Sequence, residues 1–366
     1  MENKDLVIIG SGPAALMLAI KANKRKVTII EKPNRDNKLA KRILVSGNGR
    51  ANFFNADLLS LNIRDEYKPF FFDGKKNYSE ELLNYFSSNG FPFIVEDKLY
   101  YPYFKRSECL HSFLMDKIKD KEIIFAKAID VNYEKSILNI IENGQRKQIR
   151  YNDLVIATGG RSFDRDDFTY DLLDSLRVKY YPFKSMLCPV IVKEKIPSYL
   201  EKNRLKGHLY VYENETLIYD EEGEILFKND GLSGICIFNS TLAILDAKRK
   251  GKEDFKIVFD YGKDILVNSS ISYYPEFLKR YISEYHLEKG VLTFTYKDNY
   301  SFKESQASYG GILLSELDLK TLSLKKHPNI YAIGEVLDEN FICGGYNIGN
   351  GLVSGYHLGE ILNGKI

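Results

Sequence analysis

The sequence predicts an α/β protein: a Rossmann-type domain, with a βαβ unit on a central parallel sheet, interrupted by a mainly antiparallel β second domain with some helices. Three observations predict it. Residues 6–9 are an apolar β-rich run, residues 14–23 have helical spacing, and residues 27–30 are a second β-branched run ending in Glu31, which is the length a dinucleotide-binding βαβ unit requires. From about Pro182 the pattern changes to short strands separated by turns. The C-terminal part returns to α/β character, with a strand at 329–333 and a closing helix at 348–362. The chain is therefore read as leaving its first domain and coming back: residues 1–184 and 308–366 form one discontinuous domain, and residues 185–307 an inserted substrate or cap domain.

Between these landmarks, residues 80–89 and 107–119 carry helical periodicity, with Ser79 and Ser107 as N-caps. Short strands at 123–125, 128–131, 137–141 and 148–151 read as a meander leading into the buried run at 154–157. In the inserted domain, strands are expected at 188–193, 209–212, 216–219 and 225–228, with a turn at Glu221-Glu222-Gly223-Glu224. An apolar helix at 234–249, a strand at 256–259 and a helical region at 275–284 complete it.

Composition bounds the function. The chain has 366 residues, 44% of them hydrophobic, enough for a large core, and 52 basic against 50 acidic side chains leave a net charge of +2. That balance gives no strong footprint for nucleic acid or anionic lipid, so neither partner is expected. The basic stretch KANKRKVTIIEK at 21–32 reads as a solvated face. Cys109, Cys188, Cys236 and Cys343 form no CxxC pair, and His111, His208, His286, His327 and His357 are equally scattered, so neither a disulfide framework nor a metal site is expected. The scattered cysteines make a reducing cytoplasm the expected compartment; no stretch reaches the ~18 apolar residues a membrane helix needs, and with acidic Glu2 and Asp5 ahead of it the N-terminal apolar run reads as strand, turn and helix and not as a signal peptide.

The chemistry lies in glycine-rich segments. Gly10, Ser11, Gly12, Pro13, Ala14 and Ala15 fit GxGxx(G/A) between a strand and a helix. Gly10 serves the tight turn, Gly12 lets backbone approach a pyrophosphate, and Ala15 allows helix and strand to pack closely. The helix N-terminus then offers free amides and partial positive charge. Glu31 ends the second strand, where a carboxylate accepts hydrogen bonds from ribose hydroxyls. These features do not separate FAD from NAD. Two further segments do: LVIATGG at 154–160, a buried strand ending in a small turn, and YAIGEVLD at 331–338 followed by CGGYNI at 343–348, which opens the last helix. Glycines there let amides approach a flat ring, and the helix N-terminus suits negative charge on a reduced flavin.

With these residues in view the chain resembles the bacterial BaiN-like, or aminoacetone oxidase-like, family of FAD-dependent oxidoreductases within the glutathione-reductase-like flavoprotein fold. The resemblance spans nearly the whole chain. It is carried by GSGPAA at 10–15, RILVSGNGRAN at 42–52, ATGGRSF at 157–163, GEILFKNDGLSG at 223–234 and GEVLDENFICGGYN at 334–347. It implies non-covalent FAD, with Ser46, Gly47, Gly49, Arg50 and Asn52 beside the cofactor. Lys32, Arg42, Ala128, Ala157, Thr158, Gly159, Gly334, Glu335, Gly345, Tyr346, Asn347 and Ile348 join the GxGxx(G/A) residues and Glu31 as cofactor-binding. Tyr309, Gly310, Gly311 and Tyr346 are placed near the active-site face, although with 26 tyrosines in the chain ordinary packing is the reading for any single one. Arg50 offers a permanent charge for a phosphate or an anionic substrate, and a structural pairing with a carboxylate stands as its alternative.

The chain departs from the family pattern at Arg42, where lysine is common, at Asn48, where glycine is common, and at Ala51, where cysteine is common. A thiol at the last position therefore plays no part here. No second GxGxxG follows a strand, so NAD(P)H, if used, is expected as a transient donor. The expected activity is oxidation or reduction of a small molecule by the flavin, with no side-chain nucleophile and no catalytic residue named. An RNA-modifying flavoprotein and a non-enzymatic FAD-binding redox partner are the alternatives.

Overall fold

The computed structural model describes residues 2–162, 168–262, 270–285 and 290–364. Phe163 of the ATGGRSF segment and His286 lie outside them. The chain divides into two compact units, Met1–Gly160 with Asp166–Phe183 and Gly310–Ile366, and Lys184–Tyr309 with Arg161–Arg165.

The first unit is built on a mixed sheet whose parallel part runs Glu122–Phe125, Val27–Glu31, Asn3–Ile9, Gln145–Ile156, His327–Ala332. Leu6, Val7, Ile8 and Ile9 are buried, as a central strand covered on both faces demands. The helix Pro13–Lys21 buries every residue from Ala14 to Ile20, because the closing helix Tyr346–Asn363 packs over it.

Two expectations change here. The run at 123–125 is no part of a meander; it pairs in parallel with Val27–Glu31 at the sheet edge. The runs at 148–151 and 154–157 are one strand, Gln145–Ile156, antiparallel to Ile137–Glu142 in its first half and parallel to Asn3–Ile9 in its second. A single strand serves two ladders because only its second half has apolar neighbours on both faces, and the hydropathy break at Asn152 and Asp153 reads as an end when it marks a change of partner.

The serine caps are also corrected. The helix Tyr78–Ser88 is capped by Asn77, whose side chain accepts from the Ser79 and Glu80 amides, while the Ser79 hydroxyl donates to Leu58 O. Ser107 opens Ser107–Lys117 but donates to Leu44 O, tying that helix to the segment before Ser46.

The second unit is a closed six-stranded barrel, Val190–Val192, Gly231–Ser233, Thr216–Phe227, Arg204–Glu213, Phe255–Asp260, Val291–Asn299, with its own apolar core and the helix Ile235–Arg249. The turn expected at 221–224 is absent: Thr216–Phe227 runs unbroken through Gly223, which pairs with Gly207. Gly223 is there for close approach, since a Cβ on it would sit 2.9 Å from the Cβ of Cys236 on the helix.

Candidate cofactor site

The site is assembled around the amino ends of two helices in the first unit. Gly10 leaves the first strand with φ +109°, and a Cβ there would stand 2.3 Å from Ala157 O, so only glycine fits. Its amide donates to Ile30 O, which sets Glu31 beside the turn. Ala157 N in turn donates to Ile9 O, so Ala157, buried Thr158 and Gly159 follow along the same turn.

Gly12 is different. It is the N-cap of Pro13–Lys21, no side chain caps the helix, its first turn holds no acidic residue, and a Cβ on Gly12 would meet nothing within 4 Å. An uncapped, uncharged helix start that faces open space fits a pyrophosphate. Ser11 does not aim its hydroxyl there: Ser11 Oγ accepts from Ala40 N at 3.1 Å and pins the loop leading to Arg42. Glu31 is half-buried with no side-chain partner among the described residues, and Ala126 N donates to Glu31 O, which brings Ala128 to the same end of the sheet.

The RILVSGNGRAN segment forms a short helix, Lys41–Val45, then a tight 3₁₀ turn in which Gly47 and Asn48 both take left-handed φ, +54° and +53°. Asparagine tolerates that region better than other non-glycine residues, which explains how Asn48 replaces a glycine. Arg42 Nη1 lies 3.2 Å from Glu335 Oε2, and its other nitrogen donates to Gly160 O at 3.3 Å, so Arg42, the 157–160 turn and the Gly334–Val336 turn are tied together. Ser46 donates to Ile43 O. Arg50 is exposed and forms no ion pair among the described residues. Ala51 is fully buried, a position where a thiol would also be enclosed.

Asn52 joins this segment to the last helix. With its amide oriented to satisfy all partners, it donates to Phe54 O and Tyr100 O and accepts from Gly345 N at 3.3 Å. Gly345 is the N-cap of Tyr346–Asn363, again without a side-chain cap or an acidic first turn. Tyr346 donates to Asp57 Oδ2 at 2.6 Å and stacks on Phe341, Asn347 bonds Ile342 O, and Ile348 is half-buried. Burial and the Asp57 carboxylate push the Tyr346 phenol up, so it stays protonated. Gly334 presses on the first helix, where a Cβ would be 2.9 Å from the Ala14 Cβ. Gly310 N donates to Asn340 Oδ1, whereas Tyr309 belongs to the second unit, where it is buried and bonded to Asp246. Lys32 is half-buried.

Sequence reasoning missed Asp57, which holds Tyr346, and the buried pair Glu339–Asn350, in which Asn350 Nδ2 donates to Glu339 Oε2 at 3.1 Å. Glu339 lies in the polar run Asp338-Glu339-Asn340 and reads as part of a surface turn. Among the described residues no group of three or more His, Cys, Asp or Glu could hold a metal, and no helix is long and apolar enough to cross a membrane.

The fold is shared with solved flavoproteins. A 3-ketosteroid delta1-dehydrogenase from Sterolibacterium denitrificans superposes with a TM-score of 0.55 at 10% identity, covering all of both chains. A flavocytochrome c3 fumarate reductase superposes at 0.53 and 13% identity, covering 99% of this chain and 78% of that one. Fold and site define a Rossmann-type, FAD-dependent oxidoreductase. The chain belongs to the family described as HI0933-like protein Rossmann domain, whose model matches residues 4–361. Two characterised relatives are each 22% identical: the 3-dehydro-bile acid delta(4,6)-reductase of Clostridium scindens, over 96% of this chain and 97% of its own, and the ribosomal RNA dihydrouridine synthase of Escherichia coli, over 95% of each.

Proposed function

We propose that the chain holds FAD non-covalently at the two uncapped helix starts and uses it to reduce a carbon–carbon double bond in a small-molecule substrate. NAD(P)H visits as a transient donor. The observation that carries the cofactor placement is Gly12: its missing Cβ leaves space beside the free amides of Pro13–Lys21, and the other glycine-rich segments are tied around it. Ala14 and Ala15 amides would receive the pyrophosphate, Glu31 the adenosine ribose, and the amino end of Tyr346–Asn363 the pyrimidine edge of the isoalloxazine. Bound FAD supplies two-electron redox chemistry. Arg42 holds Glu335 and the Gly160 carbonyl in place, Asn52 orients the Gly345 amide, and Arg50 is left free to attract an anionic group on cofactor or substrate. The second unit, Lys184–Tyr309, is assigned the role of substrate cap. Reduction of a double bond is supported by the names of both relatives, a delta(4,6)-reductase and a dihydrouridine synthase.

The test is an anaerobic stopped-flow spectrum of the purified protein with NADH and then NADPH, followed by an enone or ene-carboxylate panel. Bleaching by a nicotinamide and reoxidation by an activated alkene support the reading. Bleaching with reoxidation by oxygen alone would make it an oxidase, and a protein that cannot be reconstituted with FAD would overturn it.

The Escherichia coli relative favours a second reading, in which the reduced base belongs to RNA. The near-neutral charge provides little electrostatic affinity for a polyanion. Reoxidation by structured RNA and not by free uridine or enones would select it.

A further inference from the structure

Behind the start of the closing helix lies an acid–amide pair to which no role has been given. Glu339 and Asn350 are 3% and 2% exposed, and one hydrogen bond joins them, from Asn350 Nδ2 to Glu339 Oε2 at 3.1 Å. The two remaining oxygens, Glu339 Oε1 and Asn350 Oδ1, are buried and have no partner among the described residues. Both are acceptors if Glu339 is ionised, so two buried lone-pair groups are left unsatisfied at once, each keeping the cost of its lost hydration. A single proton on Oε1 removes both defects. Directed at the amide oxygen, that proton would add a carboxyl O–H contact to the amide N–H contact already present, making a two-point pair.

We propose that Glu339 is a carboxylic acid that donates its Oε1 proton to Asn350 Oδ1, and that this held proton keeps a buried negative charge away from the start of the closing helix. The surroundings agree. Burial pushes the carboxyl up to about 8, and Asp338 beside it adds to the shift. Across from this segment, Tyr67 accepts from Asn340 N and is itself pushed up to about 12, so it is neutral, and Arg64 lies over the Tyr67 ring. Among the described residues no lysine or arginine pairs with Glu339 to stabilise an anion.

The consequence for the cofactor rests on the FAD reading above. The helix start favours electron-rich flavin through its partial positive charge. Ionised Glu339 would release one proton to solvent and place a full negative charge nearby, opposing that effect. Glu339 is thus a positioning residue: it acts through the potential at the helix start and touches no substrate.

Infrared difference spectra of the whole protein below and above about pH 8, with and without FAD, read the first half of the proposal. The wild type is expected to show a neutral carboxyl stretch that disappears above that pH and is missing from Glu339→Gln. Glutamine can make both bonds to Asn350, so this variant is expected to fold, and Glu339→Met supplies a second uncharged comparison. Midpoint potentials of bound FAD against pH read the second half: wild type and the uncharged variants should coincide at low pH, with the wild-type potential falling below theirs as Glu339 ionises. Absence of the band from the wild type at low pH overturns the protonated acid, and a band that titrates while the potentials run parallel overturns the positioning role. A protein that binds no FAD sinks the proposed function instead, with the infrared band still deciding the state of Glu339.

Discussion

With Glu339 held as the acid proposed above, the folded chain keeps at neutral pH a proton that the same group in the unfolded chain has lost, because burial pushes the carboxyl up to about 8 from an ordinary 4.5. Folding then takes up a proton, so this group's contribution is full below pH 4.5 and is lost as pH rises to about 8, a change on the order of a few kcal/mol. Urea titrations of wild type and Glu339→Gln should therefore agree below pH 4.5, with the variant increasingly the more stable as pH rises toward about 8. His357 has the opposite sign. Burial holds it down to about 4, its Nδ1 bonds Phe70 O, and its ring stacks on Tyr78 at 3.7 Å. The unfolded chain protonates first, so stability is lost as pH falls from 6.5 toward 4. Replacing His357 by Gln should flatten that acid limb in the same titrations, at the expense of the stacking contact. Glycine position also separates fold from binding. Gly12→Val should leave the melting temperature of the FAD-free protein nearly unchanged while FAD is lost on gel filtration. Gly10→Ala should fail to fold, since its Cβ would meet Ala157 O at 2.3 Å.

The closing helix meets the first helix along a stripe of glycines four residues apart. At Gly355 a Cβ would come 2.2 Å from Ala14 O, whereas at Gly351 the nearest atom is 3.4 Å away. Gly355→Ala is expected to force the helices apart and destabilise by about 1–3 kcal/mol or more. Gly351→Ala should be neutral or gain up to ~1 kcal/mol of helix propensity. Chemical denaturation of the pair distinguishes the two, and FAD retention should fall only for Gly355→Ala, because both helix starts belong to the candidate site. Which glycine of this helix takes a neighbour's carbonyl is a packing fact. The same holds for caps. Ser79 and Ser107 have the chemistry of an N-cap, yet each hydroxyl reaches a distant carbonyl and Asn77 caps in its place. A hydroxyl that both donates and accepts is claimed by whichever buried group lacks a partner.

On the scale of the molecule, the chain leaves its first unit after Phe183 and returns to it at Gly310. The inserted unit closes its barrel with no free edge and holds a separate core that includes Phe227, Phe255, Phe259 and Phe294. Residues 184–309 are therefore expected to fold alone, with a cooperative thermal transition and dispersed amide resonances. In the whole chain, added FAD should raise the transition of the first unit and leave that of the barrel in place, by mass action at a site confined to one unit. A single transition that FAD moves as a whole would show instead that the units unfold together.

The dinucleotide turn, its helix and Glu31 were legible without coordinates because that chemistry is local: a strand, a turn that only glycine can make, and a helix start lie within one short stretch of chain. The family resemblance extended this to the 42–52 and 334–347 segments. Tertiary structure alone decided how these pieces meet, through Arg42 on Glu335, Asn52 on Gly345 and Tyr346 on Asp57, since each is a choice among many polar partners that only folding brings within reach. It also decided that Glu339, one acid in a polar run, lies buried against Asn350. Burial and partner set a carboxyl's charge, and neither is written in the residues beside it in the chain.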